Sequence, residues 1–197
     1  MNIGLYFGSF NPIHLGHLII ANHVVEETDL DEVWFIVTPQ NPFKKNNTLL
    51  NESHRLQLVR LAIEGSRKLK ANNIEFSLPR PSYTCDTLIH LQERYPGRVF
   101  SLIIGSDGYQ NINKWKNANY ILNNFQILLF TRPGFEEIKP ISEKTILISA
   151  PLLDISATQI RHKIKHRKSI RYLVPDIIME EIINNGYYNN SLENPSE

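Results

Sequence analysis

Ile3-Gly4-Leu5-Tyr6-Phe7-Gly8-Ser9-Phe10-Asn11-Pro12-Ile13-His14-Leu15-Gly16-His17 is the stretch on which the fold turns. It opens with an apolar run of strand length, Ile3–Phe7, and passes into a small-residue turn at Gly8 and Ser9. A helix-like segment begins near Gly16 and runs to about Thr28, with Leu18, Ala21 and Val25 on one stripe. A strand that feeds a helix through such a turn is suited to an anion. Gly8 has no side chain, so a phosphate can approach its backbone N–H, and Ser9 adds a hydroxyl donor. The first-turn N–H groups and the positive end of the helix dipole favour negative charge. His14 and His17, three apart, put both imidazoles on one side of that turn, and Gly16 leaves room between them. Such a clamp suits a phosphoryl group in transfer, where the protein positions and stabilises charge.

Other readings of the stretch are weaker. No Gly-x-Gly-x-x-Gly follows the strand and no Gly-Lys-Ser/Thr occurs, which excludes a dinucleotide fingerprint and a Walker A loop. A His-x-x-His pair can ligate a metal, but no Cys, Asp or Glu lies close enough in sequence to complete a tetrahedral set. No metal-ligating residue is therefore assigned. Two surface histidines without a role are the default for an isolated pair, and the strand–Gly–Ser–Phe turn ahead of this pair sets it apart.

Outward from this stretch, strand-length apolar runs recur at Val33–Val37, Val99–Ile104, Phe125–Phe130 and Thr145–Ile148. Helical patterns fall between most of them, at about Glu52–Gly65, Tyr83–Arg94, Ala118–Asn123 and Ser156–Lys165. This alternation predicts a doubly wound, parallel α/β sheet with helices on both faces. A last short helix, Asp176–Asn184, is opened by Pro175 and closed by Gly186. Residues 1–188 read as a single domain and 189–197 as a polar, disordered tail. Ligands of such sheets sit at the carboxyl ends of the strands, where chain order reverses. The loops to search are therefore Gly8–Leu15, Thr38–Asn51, Gly105–Lys114 and Thr131–Lys139.

Composition narrows the classes. With 21 Lys and Arg against 20 Asp and Glu, the net charge of +1 excludes a generally basic nucleic-acid coater and an acidic tail protein. Apolar stretches are too short for a membrane helix, and no signal-peptide pattern opens the chain. A single cysteine, Cys85, excludes an internal disulfide and a cysteine-built zinc site. A cytoplasmic protein without nucleic-acid or membrane partners is expected. The run Arg161–Arg171 holds six Lys or Arg and no acid. It reads as phosphate binding at its start and a solvated face beyond, since one short stripe is weak support for a nucleic-acid patch.

Gly8-Ser9-Phe10-Asn11-Pro12-Ile13-His14-Leu15-Gly16-His17 resembles the first signature of nucleotidyltransferases that join a nucleoside triphosphate to a phosphate-bearing acceptor. That family more often carries Asp where this chain has Asn11. Its second signature resembles Ile155-Ser156-Ala157-Thr158-Gln159-Ile160-Arg161, where Ala157 replaces the commoner Ser. The residues agree with a phosphate role: Ser156 reads as an N-cap, Thr158 lies in the first turn, and Arg161 can donate to two phosphate oxygens. Taken alone, the segment would be an ordinary capped surface helix. Between the signatures, Thr38–Lys44, Arg80-Pro81-Ser82-Tyr83-Thr84-Cys85-Asp86-Thr87-Leu88, Ile103–Asp107 with Lys114-Trp115, Thr131–Gly134 and Tyr172–Pro175 are similar to the nicotinate mononucleotide adenylyltransferase family.

The resemblance implies a Rossmann-like fold and adenylyl transfer from ATP to nicotinate mononucleotide, with Mg²⁺ brought by the triphosphate. It implies His14, His17 and Arg161 at the reacting phosphates, and Gly8, Ser9, Phe10, Gly105, Asp107, Ile155, Ser156 and Thr158 around ATP. Asp107 can bind a ribose hydroxyl or cap a helix. For nicotinate mononucleotide the candidates are Lys44, Tyr83, Thr84, Trp115, Lys116 and Arg132. Trp115 offers a stacking face, or a core aromatic; main-chain N–H groups near Trp115 and Lys116 suit the carboxylate; Lys44, Lys45 and Arg132 neutralise phosphates or stay solvated. Nicotinamide mononucleotide, another phosphate acceptor, and a nucleotide sensor without turnover remain as alternatives, and a homo-oligomer is left open.

Overall fold

Apolar runs rich in β-branched and aromatic residues become the central strands of one six-stranded, all-parallel sheet. The computed structural model describes residues 1–40, 42, 49–131, 139–151 and 153–189. The strands are β1 Asn2–Gly8, β2 Glu32–Val37, β3 Leu69–Asn72, β4 Val99–Gly105, β5 Gln126–Phe130 and β6 Thr145–Ile148, in the order 3-2-1-4-5-6. The helices are α1 Leu15–Glu26, α2 Glu52–Ala62, α3 Thr84–Arg94, α4 Ser106–Tyr109, α5 Ala118–Asn124, α6 Ala157–Lys165 and α7 Asp176–Asn184. This is the doubly wound, Rossmann-like arrangement that the alternation predicts. β3 and α4 are additions to it. β3 is four residues, Leu-Lys-Ala-Asn, held at the edge by pairing Leu69 with Val33.

Each central strand feeds both faces, as parallel strands covered on both sides require. Tyr6, Val33, Phe35, Val37, Ile103 and Leu128 face a core layer with residues of α1, α2, α6 and α7. Ile3, Leu5, Trp34, Ile36, Leu102, Ile104 and Leu129 face a second layer with residues of α3 and α5. Chain order reverses at β1, which pairs with β2 on one side and β4 on the other. The loops after β1 and β4 therefore leave from neighbouring strand ends.

A buried acid ties the β2 loop to α3. Glu75, in a 3-10 turn over Ile74–Ser77, is 1% exposed and accepts from the Thr87 hydroxyl at 2.8 Å. The Thr38 and Ser82 hydroxyls also face it, and burial pushes its carboxyl above the ordinary range.

Two outcomes follow from this packing. Leu5→Ala, at a fully buried point of β1, should cost about 2–5 kcal/mol in urea unfolding. Leu147→Ala, on edge strand β6 with 53% of its surface exposed, should stay within about 0.5 kcal/mol. Because the folded Glu75 carboxyl holds its proton more tightly than the unfolded chain does, its contribution is favourable at low pH and is lost as pH rises through the raised value. The wild type should therefore lose stability relative to Glu75→Gln as pH rises from the ordinary carboxyl value of 4.5 toward the raised one. A stability difference independent of pH would contradict that burial effect.

Candidate active site at the β1–β4 switch point

The loop after β1 is built around Phe10. Its backbone takes φ +44°, a left-handed value that is unfavourable for a bulky residue by about 1 kcal/mol or more. The turn folds the ring back into the core, 5.9 Å from Tyr6, 5.3 Å from Phe35 and 5.0 Å from His17, centroid to centroid. A Cβ on Gly8 would lie 2.8 Å from the tip of that ring. The space beside Gly8 is thus filled by Phe10 and not by a ligand, and Phe10 has only its main chain to offer one.

His14 and His17 stand on one side of the first turn of α1, as their spacing predicts, with rings stacked at 3.7 Å and 24°. His14 is 3% exposed and His17 is half-buried. The His14 main-chain N–H donates to His17 Nδ1 at 3.3 Å. That bond makes Nδ1 an acceptor, so the neutral His17 ring carries its proton on Nε2, as a donor. A Cβ on Gly16 would come within 3.0 Å of His14 Nδ1, so glycine does make the room for this ring. The helix N-terminus is less open than the sequence implies. The Leu15 N–H goes to the Leu173 carbonyl at 2.9 Å and the His17 N–H returns to His14. Among the described residues, Gly16 is the first-turn amide left without a main-chain partner.

The second signature docks on the first. Ser156 caps α6: its hydroxyl accepts from the Gln159 N–H at 3.2 Å, and Gln159 Oε1 accepts from the Ser156 N–H at 3.3 Å. Ile155 sits against Gly16, with its Cβ 3.6 Å from where a glycine Cβ would lie. Arg161 Nη1 donates to the Asn11 carbonyl at 2.7 Å and Nη2 to the Thr158 hydroxyl at 3.2 Å. Partial burial pulls its guanidinium below the ordinary range. Asn11 Oδ1 accepts the Leu50 N–H at 3.1 Å. An aspartate oxygen would accept the same bond, so holding the Leu50 amide requires no charge at position 11.

At the neighbouring strand end, Gly105 is the N-cap of α4, so Asp107 is not a capping residue; it lies exposed within that short helix. Tyr83 stands at the N-cap position of α3, without a side-chain cap bond, and Thr84 opens the helix. The Lys116 ammonium bonds Asp86 at 2.8 Å and lies 4.9 Å above the Tyr83 ring, clasping the β4 loop to the start of α3. The Trp115 N–H is taken by the Ile112 carbonyl at 2.9 Å, so it is not a donor for a carboxylate. The Trp115 ring is half-buried and packs on the second core layer. Its core reading is thus in part correct. Lys44, Lys45 and Arg132 lie outside the described residues.

Sequence reasoning passes over Arg55, Glu75 and Tyr188. Arg55 carried a signal: it stands three residues before Leu58 and seven before Ala62, on the apolar stripe of α2. The donor set brought together here is imidazole, guanidinium and helix amides, which holds anions. Among the described residues no group of three His, Cys, Asp or Glu is placed to hold a metal ion, and no helix is long and apolar enough to cross a membrane.

The cytidylyltransferase-like family model matches residues 5–163. A Cytophaga hutchinsonii protein described as "Probable nicotinate-nucleotide adenylyltransferase" is 51% identical over 96% of this chain and 100% of its own length. One from Flavobacterium psychrophilum with the same description is 49% identical, over 95% and 99%. The fold matches that of the Plasmodium falciparum nicotinic acid mononucleotide adenylyltransferase complexed with NaAD, with a TM-score of 0.85 and 23% identity over 98% of this chain and 99% of that one. Two signatures docked at one switch point, and near-full-length relatives at about half identity, place this chain in the cytidylyltransferase-like family, among the nicotinate-nucleotide adenylyltransferases.

Proposed function

We propose that this chain transfers the adenylyl group of ATP to nicotinate mononucleotide, giving nicotinate adenine dinucleotide and pyrophosphate, as a step of NAD biosynthesis in the cytoplasm. The observation that carries this reading is the bond from Arg161 to the Asn11 carbonyl, which sets α6 and its capped N-terminus beside the His14–His17 pair. Three anion-binding devices then converge on one point.

A phosphate oxygen of the acceptor attacks the α-phosphorus in line. The new P–O bond forms as the bond to the oxygen bridging the β-phosphate breaks, and pyrophosphate leaves with that electron pair. The nucleophile is already anionic, so no protein nucleophile is required. His17 donates from Nε2 to the phosphates, with His14 stacked behind it and Arg161 completing the charge stabilisation. The main chain of Gly8, Ser9 and Phe10 lines the triphosphate; Gly105 and Asp107 take the adenosine side; Ile155, Ser156 and Thr158 present the amides of α6. Tyr83, Thr84, Trp115 and Lys116 face the acceptor, with Lys44 and Arg132 as its cationic loop residues. The donor set here holds anions, so Mg²⁺ would enter with the triphosphate and would supply neutralisation of phosphate charge.

Pyrophosphate release measured with ATP, Mg²⁺ and either nicotinate or nicotinamide mononucleotide tests the reading. Turnover should favour the nicotinate form. His17→Ala should lower kcat roughly 100- to 1000-fold while the protein stays folded. Preference for the nicotinamide form would change the acceptor. ATP binding without pyrophosphate release would make the chain a sensor.

A further inference from the structure

Arg55 is the most deeply buried charge described in this chain. It is 0% exposed, and burial pulls its guanidinium down to about 10. Among the described residues no ion pair reaches it; Glu52, which acts on it from a distance, is paired with Arg80 at 2.7 Å. Its charge is met instead by backbone carbonyls. Nη1 donates to Ser9 at 2.6 Å and to Thr38 at 2.8 Å, Nη2 to Pro39 at 3.1 Å, and Nε to Leu50 at 2.7 Å. Those carbonyls belong to three segments: the loop after β1, the exit of β2, and the entry to α2. Arg161 bonds the Asn11 carbonyl of the same β1 loop, and the buried Tyr188 hydroxyl lies within electrostatic reach of both guanidinium groups.

We infer that Arg55 is a positioning residue for adenylyl transfer, fixing the β1 loop against the β2 loop so that the donor and acceptor phosphates meet in line. This rests on the proposed function. A planar fork can bond carbonyls on three segments at once, whereas a lysine ammonium is a compact point charge on a flexible stem. A misplacement of about 1 Å at reacting groups can cost about 100-fold in rate.

Arg55→Lys and Arg55→Met are compared with Leu58→Ala, a fully buried residue one turn along the same helix that serves as a stability-matched control. Wild-type pyrophosphate release in the same assay tests the proposed function by itself. The expected result is that both Arg55 variants keep a native circular dichroism spectrum and lose kcat by about 100-fold, with a much smaller change in KM for ATP. Leu58→Ala should lose comparable stability and keep kcat near that of the wild type. Arg55 variants with near-wild-type kcat, an equal loss in Leu58→Ala, or failure of Arg55→Lys to fold at any temperature would overturn the assignment. If the wild type releases no pyrophosphate, the proposed function fails, and the positioning role in adenylyl transfer is overturned with it.

Discussion

The double pairing of β1 governs this molecule. Because β1 is bonded in parallel to β2 on one side and β4 on the other, helices must pack on both faces. The loops after these strands then emerge side by side at one sheet edge. A ligand set there is reached by the β1 loop, by the β4 loop and, through the chain's return to the first face, by α6. Everything ascribed to the site depends on that geometry. The histidines lie at the start of α1 because the helix must turn straight back along β1.

Holding the loops at that edge is a separate problem, solved with hydrogen bonds from the rear. Thr38 donates its N–H to the Gly8 carbonyl at 2.9 Å, Leu50 donates to Asn11, and Arg161 donates to the Asn11 carbonyl. Phe10 works from beneath, its ring wedged against Gly8 and His17. The turn keeps an unfavourable φ because its aromatic neighbours over-determine it, as at many functional sites. Rigid backbone is what this chemistry requires of a protein that offers no nucleophile, since nearly all of its catalysis is placement of charge.

What the sequence reveals divides along physical lines. β1, β2, β4 and β5 are legible because central parallel strands need continuous apolar runs, and the edge strand β6 is legible because Thr-Ile-Leu-Ile is itself a β-branched, apolar run. β3 is not, because an edge strand of Leu-Lys-Ala-Asn needs to bury little more than Leu69. The same-side histidines and the Ser156 cap follow from local spacing and are found where spacing puts them. The roles of Gly8 and of the Leu15 and Trp115 amides do not follow from residue type and spacing. The Phe10 ring and the Ile112 carbonyl decide two of them through the conformation of a local turn, and the Leu173 carbonyl, brought in by the fold, decides the third. Asn11 shows the same limit from the other side: the pattern flags a missing carboxylate, and only the Leu50 amide explains why an amide oxygen serves.

The charge distribution gives the last step. A chain of net charge +1 carries no long-range field with which to gather nucleotides, so attraction must be local. Here Arg161 and Arg55 lie behind a loop whose own residues, Gly8 to Pro12, carry no charge at all. Among the described residues the donors of both arginines meet backbone carbonyls and the Thr158 hydroxyl, and no carboxylate pairs with either. The loop therefore presents its amides and the His17 Nε2–H over a positive base. A carboxylate partner for either arginine would bring a negative charge close to the proposed phosphate site, and carbonyl ligation avoids that while still satisfying the buried donors.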